Sequence, residues 1–216
     1  VRPAQSFQPG TEYRLELSRN LESQSGEKLP KNYSWSFKTR KPEAKSYFGI
    51  DFVEIKSGCY MMGDESREAG LDEGKRHEMC VDDFYLSQFE VTRAQWHAIM
   101  GDGSWEPDEK ANLPIRKVSW EQAAAFIQKL NDKAGERVRF SLPTETEWEY
   151  ACRGGNAVER KMEYGTSNGN LESENANFGI DDGGVNDSDG FEYTAPVGSF
   201  EPNPLGLYDM SGNVME

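Results

Sequence analysis

The sequence ends with Asn203-Pro-Leu-Gly-Leu-Tyr-Asp-Met-Ser-Gly-Asn-Val-Met-Glu216, a segment rich in glycine and in oxygen-bearing side chains. Gly206 and Gly212 permit backbone angles that other residues resist, so the chain can turn tightly here. Asp209 and Glu216 supply carboxylate oxygens, which together with nearby carbonyls are the ligands that Ca²⁺ prefers. The segment therefore predicts either a calcium-binding loop or an ordinary Gly/Asn/Asp turn, and spacing alone does not separate the two.

Six further blocks precede this segment in a fixed order. They are Gly58-Cys-Tyr-Met-Met-Gly63, Phe84-Tyr-Leu-Ser-Gln-Phe-Glu-Val-Thr92, Val118-Ser-Trp120, Phe140-Ser-Leu-Pro-Thr-Glu-Thr-Glu-Trp-Glu-Tyr-Ala-Cys-Arg-Gly-Gly155, Asn175-Ala-Asn-Phe178 and Thr194-Ala-Pro-Val197. In this order the blocks resemble the sulfatase-modifying-factor family, which includes the formylglycine-generating enzymes. The resemblance implies an α+β fold that is similar to C-type lectin-like domains and has little regular secondary structure.

The resemblance also implies two calcium sites, each with two side-chain oxygens and two backbone carbonyls. The first would use the Asn177 side chain, the Phe178 carbonyl, the Asp189 side chain and the Phe191 carbonyl. The second would use Asp209, the carbonyls of Gly212 and Val214, and Glu216. Such hard-oxygen sets suit calcium and disfavour zinc or copper.

No catalytic residue transfers from the family. Formylglycine-generating enzymes use two cysteines that bind copper and oxidise a substrate cysteine, and these lie beyond the motif with which this sequence ends. We therefore expect the family domain to be incomplete here, and we expect copper only if a following region carries that cysteine pair. The sequence holds two histidines, His77 and His97, and neither has a His or Cys neighbour at a metal-ligand spacing.

Charge is unevenly distributed along the sequence. The net charge is −14, but residues 1–50 hold nine Lys/Arg against five Asp/Glu, whereas the other 166 hold fifteen against thirty-three. A step of this kind indicates a domain boundary near residue 45. The acidic part excludes nucleic acid as a partner, because phosphate recognition needs basic patches. No apolar run of about 20 residues exists, so no membrane span is predicted.

Two alternating segments, Thr11–Ser18 and Asn32–Thr39, predict half-buried strands. Two strands do not form a stable unit alone, so we expect residues 1–40 to be the end of a β-sandwich, and this segment resembles the end of bacterial immunoglobulin-like domains. The alternative is an N-terminal extension packed on the main domain. Residues 41–46 are predicted to be a linker, because they are charged and contain Pro42, and residues 47–216 are predicted to form the second domain.

Within the second domain the sequence predicts a strand that turns and continues over 52–63, another over 77–86, and three helices. Each helix begins at a capping box, in which a Ser/Thr and a Glu/Gln three residues later satisfy each other's backbone amides. The pairs are Thr92/Gln95, Ser119/Gln122 and Thr144/Glu147. From residue 156 to 204 the periodicity disappears, and so long an irregular stretch is expected to need a bound metal to hold it together.

Cys59 and Cys80 lie on predicted strands that are expected to pair. The patterns favour a disulfide, with two buried thiols or a reactive pair as alternatives, while Cys152 is predicted to be a buried free thiol. A disulfide of this loop length contributes roughly 3 kcal/mol and is typical of an oxidising compartment. We therefore expect the protein to be located in the periplasm or at the cell surface, where it could be attached as a lipoprotein.

Two functions follow as hypotheses. In the first, the whole protein is an oxidoreductase that modifies a cysteine-containing peptide or small molecule, and this chain alone is inactive. In the second, the protein is a non-catalytic, calcium-stabilised scaffold or binding module of the bacterial envelope. The expected partner is accordingly a peptide or protein substrate, or another envelope protein.

Overall fold

The computed structural model describes residues 12–23, 25–38, 45–63, 76–101, 110–158, 161–178 and 189–215. These residues form strands and helices in a mixed α+β arrangement, within two compact units, Val1–Pro42 and Glu43–Glu216. The strands are β1 (Glu12–Leu17), β2 (Tyr33–Lys38), β3 (Lys45–Tyr47), β4 (Ile50–Ile55), β5 (Gly58–Met62), β6 (His77–Val81) and β7 (Phe84–Ser87). The helices are α1 (Arg93–Met100), α2 (Trp120–Ala134) and α3 (Glu145–Cys152).

In the first unit, β1 and β2 pair antiparallel from Glu12 opposite Lys38 to Leu17 opposite Tyr33. Both strands were predicted from alternation, and β1 does alternate between exposed and half-buried residues. In contrast, all six residues of β2 are exposed, including Trp35 at 47%. The expected half-burial of β2 is therefore wrong, because the described part of this unit has a single two-stranded layer with no second layer over it.

In the second unit, the segment 77–86, predicted as one strand, is divided into β6 and β7, and the turn predicted within 52–63 separates β4 from β5. β4 pairs with β3 and β7, whereas β5 pairs with β6 in a separate sheet. The chain leaves the β3–β4–β7 sheet at Lys56 and Ser57, forms β5 and β6, and returns to this sheet through Asp82 and Asp83. Asp83 Oδ1 accepts a hydrogen bond from the Ser57 amide at 2.7 Å, which joins the two corners. Lys45 and Ser46, assigned to the linker by the sequence, are the first two residues of β3.

The central strand β4 separates two apolar clusters. Val53 and Ile55 lie in a cluster that includes residues of β5, β6 and α3 and the buried Leu205 and Leu207. Ile50, which alternates with them along the strand, lies in the other cluster. That second cluster is formed with residues of α1, α2 and the segment after α2: Ile99, Phe126, Leu130 and Phe140. The sheet is thus covered on both faces, and β4 contributes buried apolar residues to each of them.

All three predicted helix starts are confirmed. Thr92, Ser119 and Thr144 each adopt an extended conformation, and the side chain of each accepts a hydrogen bond from the amide of the third helical residue. The side chain of that third residue in turn accepts a hydrogen bond from the backbone amide of the capping residue. α2 ends as predicted at Gly135. Local sequence determines these boundaries, because each cap satisfies backbone amides that the helix itself leaves unpaired.

Helix packing places the aromatic residues at the two clusters. Trp96 of α1 stacks on Phe126 of α2 with ring centroids 5.0 Å apart. On α3, Tyr150 is completely buried, and its hydroxyl donates to the Lys56 carbonyl at 3.1 Å. Cys152 of this helix is buried as predicted, whereas the burial of Tyr150 was not predicted.

After α3 the described chain forms no further α-helix or β-strand, as the loss of periodicity predicted. Buried polar side chains hold this region instead. Asn203, only 3% exposed, donates to the Ala151 carbonyl at 3.0 Å and accepts from the amides of Leu205 and Leu207. Among the described residues, no helix is long and apolar enough to cross a membrane.

Candidate functional site

The terminal segment folds around Asn213, whose side chain connects three parts of the chain. Its Nδ2 donates to Glu90 Oε2 at 2.6 Å and to the Ala195 carbonyl at 3.2 Å. Its Oδ1 accepts from the Ala195 amide at 2.9 Å and from Asn177 Nδ2 at 3.4 Å. Asn213 is therefore the centre of a polar network that brings together segments more than 100 residues apart in sequence.

Glu90, which follows strand β7 of the β3–β4–β7 sheet, is also part of this network. It is 8% exposed, and its Oε1 accepts from the Val214 amide at 3.2 Å. Its two carboxylate oxygens thus hold a side chain and a backbone amide of the terminal segment. Burying a carboxylate is costly unless hydrogen bonds replace water, so this pairing fixes the segment against the domain core.

The backbone of the segment requires special conformations at several positions. Asp209, Gly212 and Asn213 all have positive φ angles, of 56°, 102° and 63°. Gly212 lies directly against the backbone of Asn177, because a Cβ at this position would be 3.0 Å from the Asn177 carbonyl carbon and closer still to its oxygen. The neighbouring Asn213 amide donates to that same oxygen at 2.6 Å. The absence of a side chain at Gly212 therefore allows this close backbone approach.

One hydrogen bond connects the two segments that carry the first predicted calcium set. Asn177 Nδ2 donates to the Tyr193 carbonyl at 2.6 Å, which connects Asn177 to the segment that carries Asp189 and Phe191. Asp189 Oδ1 accepts from the Phe191 amide at 2.9 Å. Asp189 Oδ2 is buried and has no hydrogen-bond partner among the described residues. A buried carboxylate oxygen without a partner is rare in folded proteins, and this one belongs to a side chain that the predicted set assigns to calcium.

Parts of the second predicted set line one pocket of about 320 Å³, together with Phe178 of the first set. These parts are Asp209, Gly212 and Val214, while Glu216 lies outside the described residues. Asp209 Oδ2 accepts from the Gly198 amide at 2.8 Å. Burial raises the pKa of the Asp209 carboxyl, and this hydrogen bond opposes the shift. The ionised form is thus partly destabilised by loss of water, and a cation beside it would offset that loss.

The cysteines are arranged as the favoured prediction stated. Cys59 on β5 and Cys80 on β6 lie directly opposite each other and form a disulfide. Cys152 is a buried free thiol, and its Sγ donates to the Met210 carbonyl at 3.4 Å. This bond joins α3 to the terminal segment, so Cys152 has a structural position, beneath the site rather than at its surface.

The described residues contain no metal-binding cluster that includes a histidine. His77 begins β6 and His97 lies within α1. In the described ranges, no three His, Cys, Asp or Glu side chains come together as a metal-binding group. The two predicted calcium sets draw mainly on carbonyl and amide oxygens, so they are a different kind of site.

Sequence reasoning missed Glu90 and the central position of Asn213. Glu90 lies within the block Phe84–Thr92 that carried the resemblance, but nothing local indicates that its carboxylate is buried. Asn213 carried a weak signal, because asparagine next to glycine is typical of positive φ angles. The partners of both residues are distant in sequence, so only the folded structure shows the network.

Comparisons with known proteins agree with this architecture. Residues 36–216 match the family model described as the sulfatase-modifying factor enzyme 1-like domain. The chain is 37% identical over 136 residues to the formylglycine-generating enzyme of Mus musculus, which covers 58% of this chain and 34% of that protein. It is also 37% identical over 127 residues to the inactive C-alpha-formylglycine-generating enzyme 2 of Bos taurus, covering 58% and 38%.

A solved structure shows the same fold. PvdO from Pseudomonas aeruginosa superimposes with a TM-score of 0.63 at 26% identity, covering 82% of this chain and 74% of that one. The chain spans little more than a third of the length of the two curated relatives above. Since the family model matches most of its residues, the chain belongs to the sulfatase-modifying factor enzyme 1-like domain family.

Proposed function

We propose that this domain is stabilised by calcium, bound by the Asn177 and Asp189 side chains with the carbonyls of Phe178 and Phe191. The observation that carries the proposal is the buried Asp189 Oδ2, which has no partner in the described chain. An ion there would give this oxygen a ligand bond in place of the missing hydrogen bond. Calcium suits the set because it accepts several neutral oxygens around few carboxylates.

The role of the ion would be structural. It would join residues 177–178 to residues 189–191, two segments of an irregular region without helix or strand. The second set, with Asp209, Gly212, Val214 and Glu216, would act in the same way on the terminal segment. Its support is weaker because it rests on the pocket and on the desolvation of Asp209, and no orphaned atom marks it.

Calcium removal should lower the stability of the chain measurably. A ligand that binds only the folded state stabilises it by RT ln(1 + [L]/Kd), so calcium at about a hundredfold over its Kd contributes roughly 2.7 kcal/mol per site. Thermal melts with added calcium or with a chelator would show the difference. Asp189→Ala should abolish most of the calcium-dependent shift in Tm.

Glu192→Ala is the matched control, because Glu192 is an exposed acid three residues away. This variant should keep the calcium-dependent shift of the unmodified chain. The proposal fails if chelator leaves the Tm unchanged. It fails for this site if both variants keep the full calcium response.

For the chain by itself we propose no oxidase activity. Two of its three cysteines form the disulfide and the third is buried, so the described residues offer no pair of free thiols to bind copper. We therefore expect copper binding only if a cysteine pair outside this chain supplies the ligands. For the whole protein, an oxidoreductase acting on a cysteine-containing peptide or small molecule is the first candidate, supported by the formylglycine-generating relatives.

The second candidate is a non-catalytic scaffold or binding module of the envelope. It is supported by the bovine relative, which is named inactive and is as similar to this chain as the mouse enzyme. The disulfide supports placement of the chain in an oxidising compartment, the periplasm or the cell surface, either free or as a lipoprotein. The partner would then be another envelope protein instead of a substrate peptide.

An activity assay separates the two candidates. The chain, and separately the natural full-length protein, would be incubated with copper and a cysteine-containing peptide in air, with the mouse enzyme as positive control. Mass spectrometry would follow the conversion of the cysteine to an aldehyde. We expect no conversion by the chain, and conversion by the chain would contradict its proposed inactivity. Conversion by the full-length protein would support the oxidoreductase over the scaffold.

A further inference from the structure

A second cleft lies between the β3–β4–β7 sheet and α2. Its volume is about 420 Å³, within the range of small-ligand pockets. The floor is the sheet face that carries Tyr47, Ile50 and Phe52, and one wall is the apolar side of α2. The segment after α2, with Phe140, forms the opposite wall.

The apolar lining of this cleft includes a cluster of aromatic rings. The rings of Tyr47, Phe52 and Phe140 contact one another pairwise, with centroids 5.6 to 6.1 Å apart. Tyr47 and Phe52 are only half-buried, so part of this ring cluster faces the cleft and not the packed core. Such a surface favours a planar or aliphatic group, because burial removes apolar area from water on both partners.

Two of the three charged residues that line the cleft in the described ranges are cationic, in a chain with 38 acidic and 24 basic side chains. Lys45 and Arg139 both line it and are both exposed. The Lys45 ammonium lies 3.8 Å from the ring centroid of Tyr85, which holds it over the same sheet face. Among the described residues, no ion pair or side-chain hydrogen bond involves the Arg139 guanidinium, so it is available to an anion.

The acidic residue among the described lining residues does not cancel this charge. It is Glu147, and its Oε2 already accepts hydrogen bonds from the amide and the hydroxyl of Thr144, both at 2.8 Å. Its carboxylate is thus held at the start of α3 as part of the capping box. The cleft therefore combines an apolar interior with a net positive rim.

From this combination we propose that the cleft is a binding site for a small amphiphile with an apolar body and one anionic head group. The body lies against Tyr47, Phe52 and Phe140, and the head group contacts Arg139 and Lys45. The proposal does not depend on calcium or on the activity of the whole protein, because the cleft shares no residue with either predicted calcium set.

Isothermal titration of the full 216-residue chain with decanoate would test the proposal. Saturable binding at one site per chain is expected. Decyltrimethylammonium, which has the same hydrocarbon chain and a positive head group, should bind at least about tenfold more weakly, since each charged contact contributes on this scale. Equal binding of the two amphiphiles, or no binding of decanoate, would overturn the proposal.

Charge-removing variants locate the site. Arg139→Gln and Lys45→Gln should each weaken decanoate binding, Arg139→Gln by about tenfold. Lys133→Gln removes an exposed positive charge from α2 that does not line the cleft, and it should leave the affinity unchanged. All three residues are exposed, so the variants should fold, which melting curves would check. Undiminished binding in both Arg139→Gln and Lys45→Gln, or equal weakening in Lys133→Gln, would place the ligand elsewhere.

Discussion

Gly212→Ala is expected to destabilise the second unit by roughly 1–3 kcal/mol more than an alanine at an unobstructed glycine. The new methyl group would meet the Asn177 carbonyl group, which is backbone and cannot rotate away. To make room, the terminal segment must separate from Asn177. That separation would break the hydrogen bond from the Asn213 amide to the same carbonyl oxygen.

Gly206→Ala provides the matched control. Gly206 lies in the same segment and has a positive φ of 86°, but nothing lies within 4 Å of a Cβ built on it. Both substitutions therefore carry the cost of a non-glycine residue at positive φ, about 1–2 kcal/mol, and only Gly212→Ala adds the clash. Urea unfolding of both variants would measure the difference. Equal losses would show that the close approach to Asn177 contributes nothing.

The helices could be predicted from sequence because their determinants are local. Each capping pair spans three residues, and Ser119 with Gln122 specifies the start of α2 without reference to the rest of the fold. The apolar spacing on α2 likewise predicted the burial of Phe126 and Leu130. Where both partners of an interaction are close in sequence, the local sequence is enough to predict the structure.

The strand boundaries are determined by more distant partners. β4 and β5 follow each other directly, yet they belong to different sheets, and the break at Lys56 and Ser57 depends on Asp83 of the returning chain. A turn was predicted within 52–63, but nothing in the local sequence shows that it takes the chain from one sheet to another. The same limit applies to β2, whose aromatic residues predict burial but lie in a single exposed layer.

The same distinction applies to the candidate site, where some residues could be predicted from the sequence and others could not. Its predicted calcium ligands came from resemblance to the family, and they remain a proposal that chelation would test. The network around Glu90 and Asn213 came only from the structure, because its members are contributed by loops that are distant in sequence. The cleft at Arg139 is similar, since its floor and walls belong to separate elements and no motif marks it.

Asn213→Gly is expected to cost about 3 kcal/mol, because it removes the side chain that satisfies buried groups on three segments. Glycine accepts the positive φ of 63° at this position, so the loss would report hydrogen bonds and not backbone strain. Asn170→Gly is the control: Asn170 is exposed and its side chain makes no hydrogen bond among the described residues. That change should cost at most about 1 kcal/mol.

A second substitution identifies which lost bond dominates. In Asn213→Gly, the buried Glu90 carboxylate, whose charge is costly to bury without hydrogen bonds, loses the 2.6 Å hydrogen bond from Asn213 Nδ2. Adding Glu90→Gln removes that charge, so the double variant should recover about 1 kcal/mol, although Glu90→Gln alone should destabilise the unmodified chain. Chemical unfolding of the four proteins gives the coupling energy. Additive losses would mean that Glu90 and Asn213 act independently, and that the network does not hold the terminal segment to the sheet.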